Sequence, residues 1–455
     1  MTLLPQPAWL WMPVWLPFVA APVVYILRRH ELIAAILTAA VFVLSSYLLW
    51  TSPPPETTLL GRPIVLERVP RVLLIALGFW MAVGALYAAR ISQGWSLFPF
   101  WPLLFGVVAV AFMFQDFIVR VIVLKVAWLG AILLVQSGVK ASTRAATRLL
   151  VVIVLATPAL LLAGVLAARI EANANLITLA PLAGIGFGIG FSLVLAVVPF
   201  HAWLPQVAED GPPLIAAWFV AAFGTAYLVL LIDLVGRMPW LLEEGRGLTL
   251  LRSGGILLIA GGGILALVET HVGRLWAYSV LVDTGYLVLG IGLGRLIGME
   301  VPLMAVGARF VALILSGVAL ATIRHRAMSL EMDELAGSAS KVPLSYLGWL
   351  SGGLSFLGVP LSPGFPGHWL ILRQLFALDI RLAWGIVVAT LLGVLGYVRA
   401  LNAALRTAPP ERLETIEPEP VSVTVLLLML IVVASLMGLV PHAIMPLVRF
   451  MAQGL

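Results

Sequence analysis

Gly358-Val359-Pro360-Leu361-Ser362-Pro363-Gly364-Phe365-Pro366-Gly367-His368-Trp369 follows Gly352-Gly353 inside an otherwise apolar run, residues 343–377. Three prolines and three glycines in twelve residues cannot be carried by an uninterrupted helix. A span broken in this way frees backbone groups that hydrocarbon cannot satisfy, so the break must face protein or a water-filled cavity. The surrounding chain says that hydrocarbon is the solvent. Of 455 residues, 62% are hydrophobic and 11% charged, against about 25% charged in an ordinary soluble domain.

Outward from this stretch, apolar runs of about 20 residues recur from end to end, each long enough to cross a core of about 30 Å as a helix. They fall near 8–27, 32–50, 71–89, 98–115, 117–139, 147–168, 179–200, 213–236, 249–269, 275–297, 301–322, 343–377, 382–404 and 421–447, about fourteen spans. The expected fold class is an all-α integral membrane protein. Connections are short, the most polar being Ser52-Pro53-Pro54-Pro55, the Arg324 to Lys341 segment and the acidic Pro409 to Pro420 link. The first apolar stretch lacks a basic n-region and a small-residue cleavage site, and it is read as a retained span. Arg28-Arg29 just after it places the N-terminus outside by the positive-inside rule.

A second interruption lies earlier, where Gly184-Ile185-Gly186-Phe187-Gly188-Ile189-Gly190 leads to Pro199-Phe200-His201-Ala202-Trp203-Leu204-Pro205. Two broken spans at corresponding places in two halves point to a transporter built from inverted repeats. The plainer reading is that Gly and Pro are common in membrane helices. The expected break residues are Gly190, Pro199, Pro360, Pro363, Gly364 and Pro366.

Composition also excludes. Zero cysteines rule out disulfides, thioether haem, cysteine-ligated iron–sulfur clusters and a thiol nucleophile. The net charge of +6 is spread thinly, with no basic run to grip nucleic acid. No zinc-protease, P-loop or nucleophile-elbow motif is present, so no catalytic residue, metal or cofactor is expected. Gly261-Gly262-Gly263 lies in a span, where small residues let helices approach closely.

Three stretches resemble signatures of the proton-antiporter family, which supplies the large membrane-arm subunits of respiratory complex I and their relatives in multisubunit cation/proton antiporters and membrane-bound hydrogenases. Pro199-Phe200-His201-Ala202-Trp203-Leu204-Pro205 resembles the family's P-[FL]-H-x-W-L-P segment. Ala266-Leu267, Arg274-Leu275-Trp276-Ala277-Tyr278-Ser279 and Gly285-Tyr286 resemble its A-L…K-R-L-L-A-Y-S-S-I-x-H-x-G-Y stretch. Asp333-Glu334-Leu335-Ala336-Gly337, Pro343, Gly358-Val359-Pro360 and Gly364-Phe365 resemble its L-x-G-L…P…G-x-P-P-x-x-G-F region. The resemblance covers roughly residues 95–405. It implies N-terminal spans in 1–95, an antiporter-like core in 96–405, and an acidic link with a last span in 406–455. The core would hold two inverted five-helix repeats, helices four to eight and nine to thirteen, with the seventh and twelfth broken.

The resemblance also implies a midplane axis: an acid on the fifth helix, lysines on the seventh and eighth, and a lysine or acid on the twelfth. This chain departs from it. Its lysines are Lys125, Lys140 and Lys341 alone. Counting along the motifs puts the fifth-helix acid on Lys125, the two lysines on Val194 and near Gly224, and the twelfth-helix group on His368. The family's histidine before G-Y becomes Asp283.

Candidate intramembrane groups follow. Lys125 is deep in an apolar run, with a functional or paired role set against snorkelling to an interface. His368 has a side-chain type that titrates near neutral pH, pKa about 6.5, or else is a packed histidine bonded to a freed carbonyl. Asp283 and Arg309 are embedded in apolar helix and need partners, each other or Lys125. His201 reads as structural by resemblance. Arg120, Asp233 and Arg399 read as anchors near helix ends, Glu209-Asp210 as a loop, and Glu411, Glu414, Glu417 and Glu419 as a solvated link. The expected function is an antiporter-like subunit of a complex I-related assembly, with other membrane-arm subunits and the bilayer as partners, quinone only through those partners, in the plasma membrane. The alternatives are a cation/proton antiporter or inorganic-carbon-uptake subunit, and a non-conducting scaffold.

Overall fold

The structure, a computed structural model, describes residues 8–59, 61–94, 96–136, 143–238, 240–243 and 246–453. Lys140 lies outside the described residues. The chain packs as two compact units, Met1–Phe191 with Val229–Asp233, and Ser192–Leu228 with Leu234–Gln453.

The first unit is built on α1 (Met12–Leu27), α2 (Glu31–Thr51), α3 (Arg68–Ala88), α4 (Leu97–Met113), α5 (Phe117–Gln136), α6 (Thr143–Ala172) and most of α7 (Ala180–Val194). Neighbours in sequence pack on one another, and α1 also lies against α4. The Pro-rich link is not a bare connection. Behind it β1 (Thr57–Leu59) and β2 (Arg62–Ile64) form an antiparallel hairpin with Thr57 opposite Ile64, the one sheet among the described residues. Pairing satisfies part of the hairpin's backbone, the Pro63 carbonyl accepts from the Gln115 N–H at 3.4 Å, and the last residues dock on the end of α4. The Val65 N–H donates to the Met113 carbonyl at 2.8 Å, while Ile64 joins a small core with Val14, Met113 and Phe114.

The second unit contains α8 (Trp203–Asp210), α9 (Pro213–Phe219), a π-turn (Val220–Gly224), α10 (Thr225–Arg237, of which Val229–Asp233 count with the first unit), α11 (Trp240–Glu243), α12 (Arg246–Val268), α13 (Val272–Gly292), α14 (Gly294–Ile297), α15 (Glu300–Ala327), α16 (Ser338–Lys341), α17 (Pro343–Phe356), α18 (Phe365–Leu378), α19 (Ile380–Leu405), α20 (Pro410–Thr415), α21 (Val421–Leu439) and α22 (Met445–Ala452). α13 is buried all round and α15 nearly so, as expected of helices that are apolar on every face and sit at the centre of a bundle. α12, α19 and α21 expose most of their apolar length, which in a membrane protein faces lipid. The glycine triplet acts as its composition suggests: a Cβ on Gly263 would run into the Ala389 carbonyl of α19, and one on Gly262 would fall 2.8 Å from the Tyr278 carbonyl of α13. Three helices are therefore in backbone contact there.

Among the described residues, eleven helices are long and apolar enough to cross a membrane, against about fourteen spans read from sequence. The difference has a physical origin. Met12–Leu27 and Leu97–Met113 are shorter apolar helices, and the run 343–377 is divided into α17 and α18, each 14 residues long.

Candidate functional site

The break between α17 and α18 is held by its own small polar groups. α17 ends at Phe356, the Gly358 N–H donates to the Ser355 carbonyl and the Val359 N–H to the Leu354 carbonyl. The chain then turns with Gly358 at φ +63° and Leu361 at φ +71°. The first suits glycine, while the second is uncommon for a residue with a branched side chain. The Ser355 hydroxyl accepts from the Gly364 N–H at 2.9 Å, and the Ser362 hydroxyl donates to the Val359 carbonyl. Pro360 and Pro363 lie within the break and Gly364 caps α18. Pro366 falls in the first turn of α18, where its missing N–H costs nothing. Gly367 lets α18 lie directly on Ala305 of α15, since a Cβ there would stand 2.8 Å from the alanine's methyl.

This packing brings three of the sequence candidates together. Arg309 of α15 pairs with Asp283 of α13 through the carboxylate Oδ2, and His368 of α18 places Nε2 at 3.1 Å from Oδ1 of the same carboxylate. Each of the three is about 2% exposed. Both terminal nitrogens of Arg309 donate to the Thr284 hydroxyl at 3.1 Å, and that hydroxyl donates to the Val280 carbonyl at 2.8 Å. Tyr286 stacks on the His368 ring at 4.3 Å and 12°, with its hydroxyl 3.1 Å from Thr390. A buried charge is tolerated only when paired and hydrogen-bonded. The cluster meets that condition with one acid, one permanent cation and one imidazole. Thr284 was not singled out from the sequence, and Tyr286 entered only as part of the Gly285-Tyr286 motif. The signal was there, since Asp283 and Tyr286 stand three residues apart on one helix face.

Other candidates go elsewhere. Lys125 is half-buried on α5, with no hydrogen bond or ion pair among the described residues; it is Arg309 and His368 that pair with Asp283. Gly190 does not mark a break. It lies within the continuous helix α7, where a Cβ would meet Leu160 at 2.5 Å. The first break comes later, between Val194 and Trp203, with Ala196 at φ +57° and a cis Val198–Pro199 bond. There the Trp203 indole donates to the Leu193 carbonyl at 3.0 Å. His201 is partly exposed, 6.3 Å from the Tyr278 ring.

Three surface readings are corrected. Arg120 is buried, forking onto the Phe114 carbonyl at 2.9 and 2.7 Å and reaching Asp233 at 2.7 Å; a guanidinium can satisfy a helix end and a carboxylate at once. Glu209 and Asp210 are the last residues of α8, not a loop. Glu419 is more than solvated linker, because its carboxylate accepts from the Leu344 and Ser345 N–H groups at 2.9 and 3.1 Å and from the Ser345 hydroxyl at 2.7 Å, capping α17.

Between α12 and α13, His271 caps α13 by accepting the Arg274 N–H on Nδ1 at 3.3 Å. Burial, then the cations Arg324 and Arg274, hold this imidazole down to a pKa of about 4, against an opposing pull from Asp210. In the connection after α15, Glu331 is raised, first by burial and then by Glu209, Glu269 and Glu334.

The same architecture recurs in solved structures. The chain aligns over 98% of its length with 99% of a chain of respiratory complex I from Thermus thermophilus, at TM-score 0.78 and 19% identity. It aligns over 98% with 97% of a chain of the archaeal membrane-bound sulfane sulfur reductase, at 0.81 and 16%, and over 98% with 96% of a chain of the Mrp complex from Dietzia sp., at 0.81 and 18%. In sequence it is 31% identical to formate hydrogenlyase subunit 3 of Escherichia coli over 46% of this chain and 35% of that one. It is 30% identical to NADH-quinone oxidoreductase subunit N 1 of Herpetosiphon aurantiacus over 58% of this chain and 53% of that one. The chain thus matches about half the length, or less, of these relatives. Residues 115–393, more than half of the chain, match the family described as NADH:quinone oxidoreductase/Mrp antiporter, TM, and both broken helices lie within or across that stretch. This multi-pass membrane protein belongs to the NADH:quinone oxidoreductase/Mrp antiporter transmembrane family.

Proposed function

We propose that the chain is an antiporter-like subunit in the membrane arm of a complex I-related assembly of the plasma membrane, and that it takes part in moving protons coupled to electron transfer in its partners. Residues 96–405 would form the antiporter-like core, arranged as two inverted five-helix repeats. The observation that carries the reading is the buried Asp283–Arg309–His368 cluster beside a helix break. Arg309 holds one oxygen of the Asp283 carboxylate and His368 the other. Of the three, His368 is the proposed proton-exchanging group, an imidazole being the side-chain type most used as a proton relay. Ionisable groups held within a membrane bundle, at a site where backbone is interrupted, mark ion and proton paths in general. Electron transfer and quinone chemistry would belong to partner subunits.

The test begins with purification of the assembly through a tag on this chain, which should bring other hydrophobic subunits with it. In proteoliposomes driven by the assembly's electron donor, His368→Ala should lower proton uptake about tenfold or more, in line with the loss of a positioned proton-transfer group. Unchanged uptake with intact assembly would remove His368 from the path.

A further inference from the structure

Away from the Asp283 cluster, an apolar groove of about 450 Å³ lies between α15, α18, the end of α21 and α22, within the size range of small-molecule sites. Phe365 and Trp369 stack at 6.0 Å and 20° and form one wall with Leu370. Met304, Leu439 and Met445 supply the other walls, and His442 lies at the edge. Backbone contact fixes the end of α21 beside the second break, since a Cβ on Gly438 would run into the Leu361 carbonyl. Trp369 and Leu439 are both exposed, so the groove opens on the lipid-facing surface that α21 presents along its length.

Charge distinguishes this groove from an ordinary crevice. On α18 the lining residue Trp369 is followed one turn later by Arg373, and on α22 the lining residue Met445 is followed one turn later by Arg449. Residues spaced i, i+4 share a helix face. Both arginines are exposed and have no hydrogen bond or ion pair among the described residues. Arg373 stands five residues before the end of α18, about 7.5 Å along the axis, close enough for its guanidinium to snorkel to the headgroup layer. The four helices that line the groove carry a single carboxylate, Glu300, one turn before Met304. Asp379, just after α18, is engaged as the cap of α19, accepting the Arg381 and Leu382 N–H groups. Unpaired cations on helices that face hydrocarbon call for an anionic partner.

We propose that this groove binds one anionic phospholipid, with an acyl chain seated between Trp369 and Met445 and the phosphate held by Arg373 and Arg449. A phospholipid brings the apolar chain and the anion in one molecule, and the guanidinium fork matches phosphate oxygens. No bond is made or broken. The site does not rest on the proton-path reading, and it stands if His368 has no part in transport.

The chain has no cysteine of its own, so Leu370→Cys gives this chain one attachment point for a photoreactive label inside the groove. In the purified assembly, reconstituted in phosphatidylcholine vesicles containing phosphatidylglycerol, the labelled chain should crosslink to phospholipid. A crosslink to a polypeptide overturns the proposal, because a neighbouring subunit then fills the groove. Native mass spectrometry of this chain released from the tagged assembly should show phosphatidylglycerol retained about tenfold or more over phosphatidylcholine, as two basic side chains at an anionic headgroup would give. Arg373→Gln with Arg449→Gln should abolish that preference while leaving the assembly intact, and Leu370→Trp should displace the lipid with both cations in place. Equal retention of the two lipids by the native chain, or native preference in the double variant, overturns headgroup recognition. Undiminished retention in Leu370→Trp overturns the acyl seat.

Discussion

Arg309 reaches from α15 to hold Asp283 on α13 where neither touches solvent or lipid. The pair is valuable mainly as a pair, since removing one partner strands the other charge in a medium that cannot solvate it. Arg309→Ala should therefore cost about 3–5 kcal/mol, whereas Arg309→Met combined with Asp283→Leu should recover most of that loss. Thermal melting of the detergent-solubilised chain would show it, and a double variant no more stable than Arg309→Ala would contradict the argument.

Two helical glycines should respond in opposite ways to the same added methyl. At Gly224, the last residue of the π-turn, a Cβ meets only the Arg309 guanidinium and Val220, both at 3.5 Å. Gly224→Ala should be neutral or stabilising by up to about 1 kcal/mol, since it removes unfolded-state freedom from a helical position. At Gly263 the same methyl runs into the Ala389 backbone, and α12 and α19 must separate at a cost of about 1–3 kcal/mol. Melting temperatures of the two variants should fall on opposite sides of, or clearly unequal distances from, the parent.

Glu419 closes the N-terminus of α17 with two backbone and one hydroxyl bond. Its replacement by Ala should lower stability by about 1 kcal/mol, within the range seen for lost N-terminal caps, while Glu414→Ala should have little effect. Amide exchange at Leu344 and Ser345 is the direct readout, and equal protection in the native chain and Glu419→Ala would refute the capping role.

Acid should weaken the start of α13. His271 has a folded-state pKa of about 4, below the ordinary value near 6.5, so the unfolded chain binds the proton first. Its contribution is fully present above about pH 6.5 and is lost as pH falls toward 4, by roughly 3 kcal/mol in all. Protonation also removes the Nδ1 lone pair that accepts the Arg274 N–H. His271→Asn keeps a cap without a titrating group, and its stability difference between pH 7 and pH 5 should be clearly smaller than that of the native chain.

The helical class, the two interruptions and the intramembrane ionisable residues were legible because each has a one-dimensional signature: apolar length, clustered Gly and Pro, and a charge where none is cheap. What could not be read was which side chain meets which. Asp283 with Arg309 was one pairing among several, and Arg120 with Asp233 looked like two surface anchors because each lies within a few residues of a helix end. Gly190 misled for the opposite reason. Glycine in a membrane helix serves close packing as readily as interruption, and here it makes room for Leu160. The close seat of His368 on Gly358 depends on an imidazole ten residues later folding back across the break, which no local pattern encodes.

The indole of Trp203 gives the first interruption a partner drawn from the chain itself. By donating to the Leu193 carbonyl, it supplies from the chain itself what water would otherwise supply, so that break carries its own stopper. At the second break the Ser355 and Ser362 hydroxyls do the same for the Gly364 N–H and the Val359 carbonyl. Both interruptions thus meet part of their backbone demand without solvent, so neither has to be wet merely to exist.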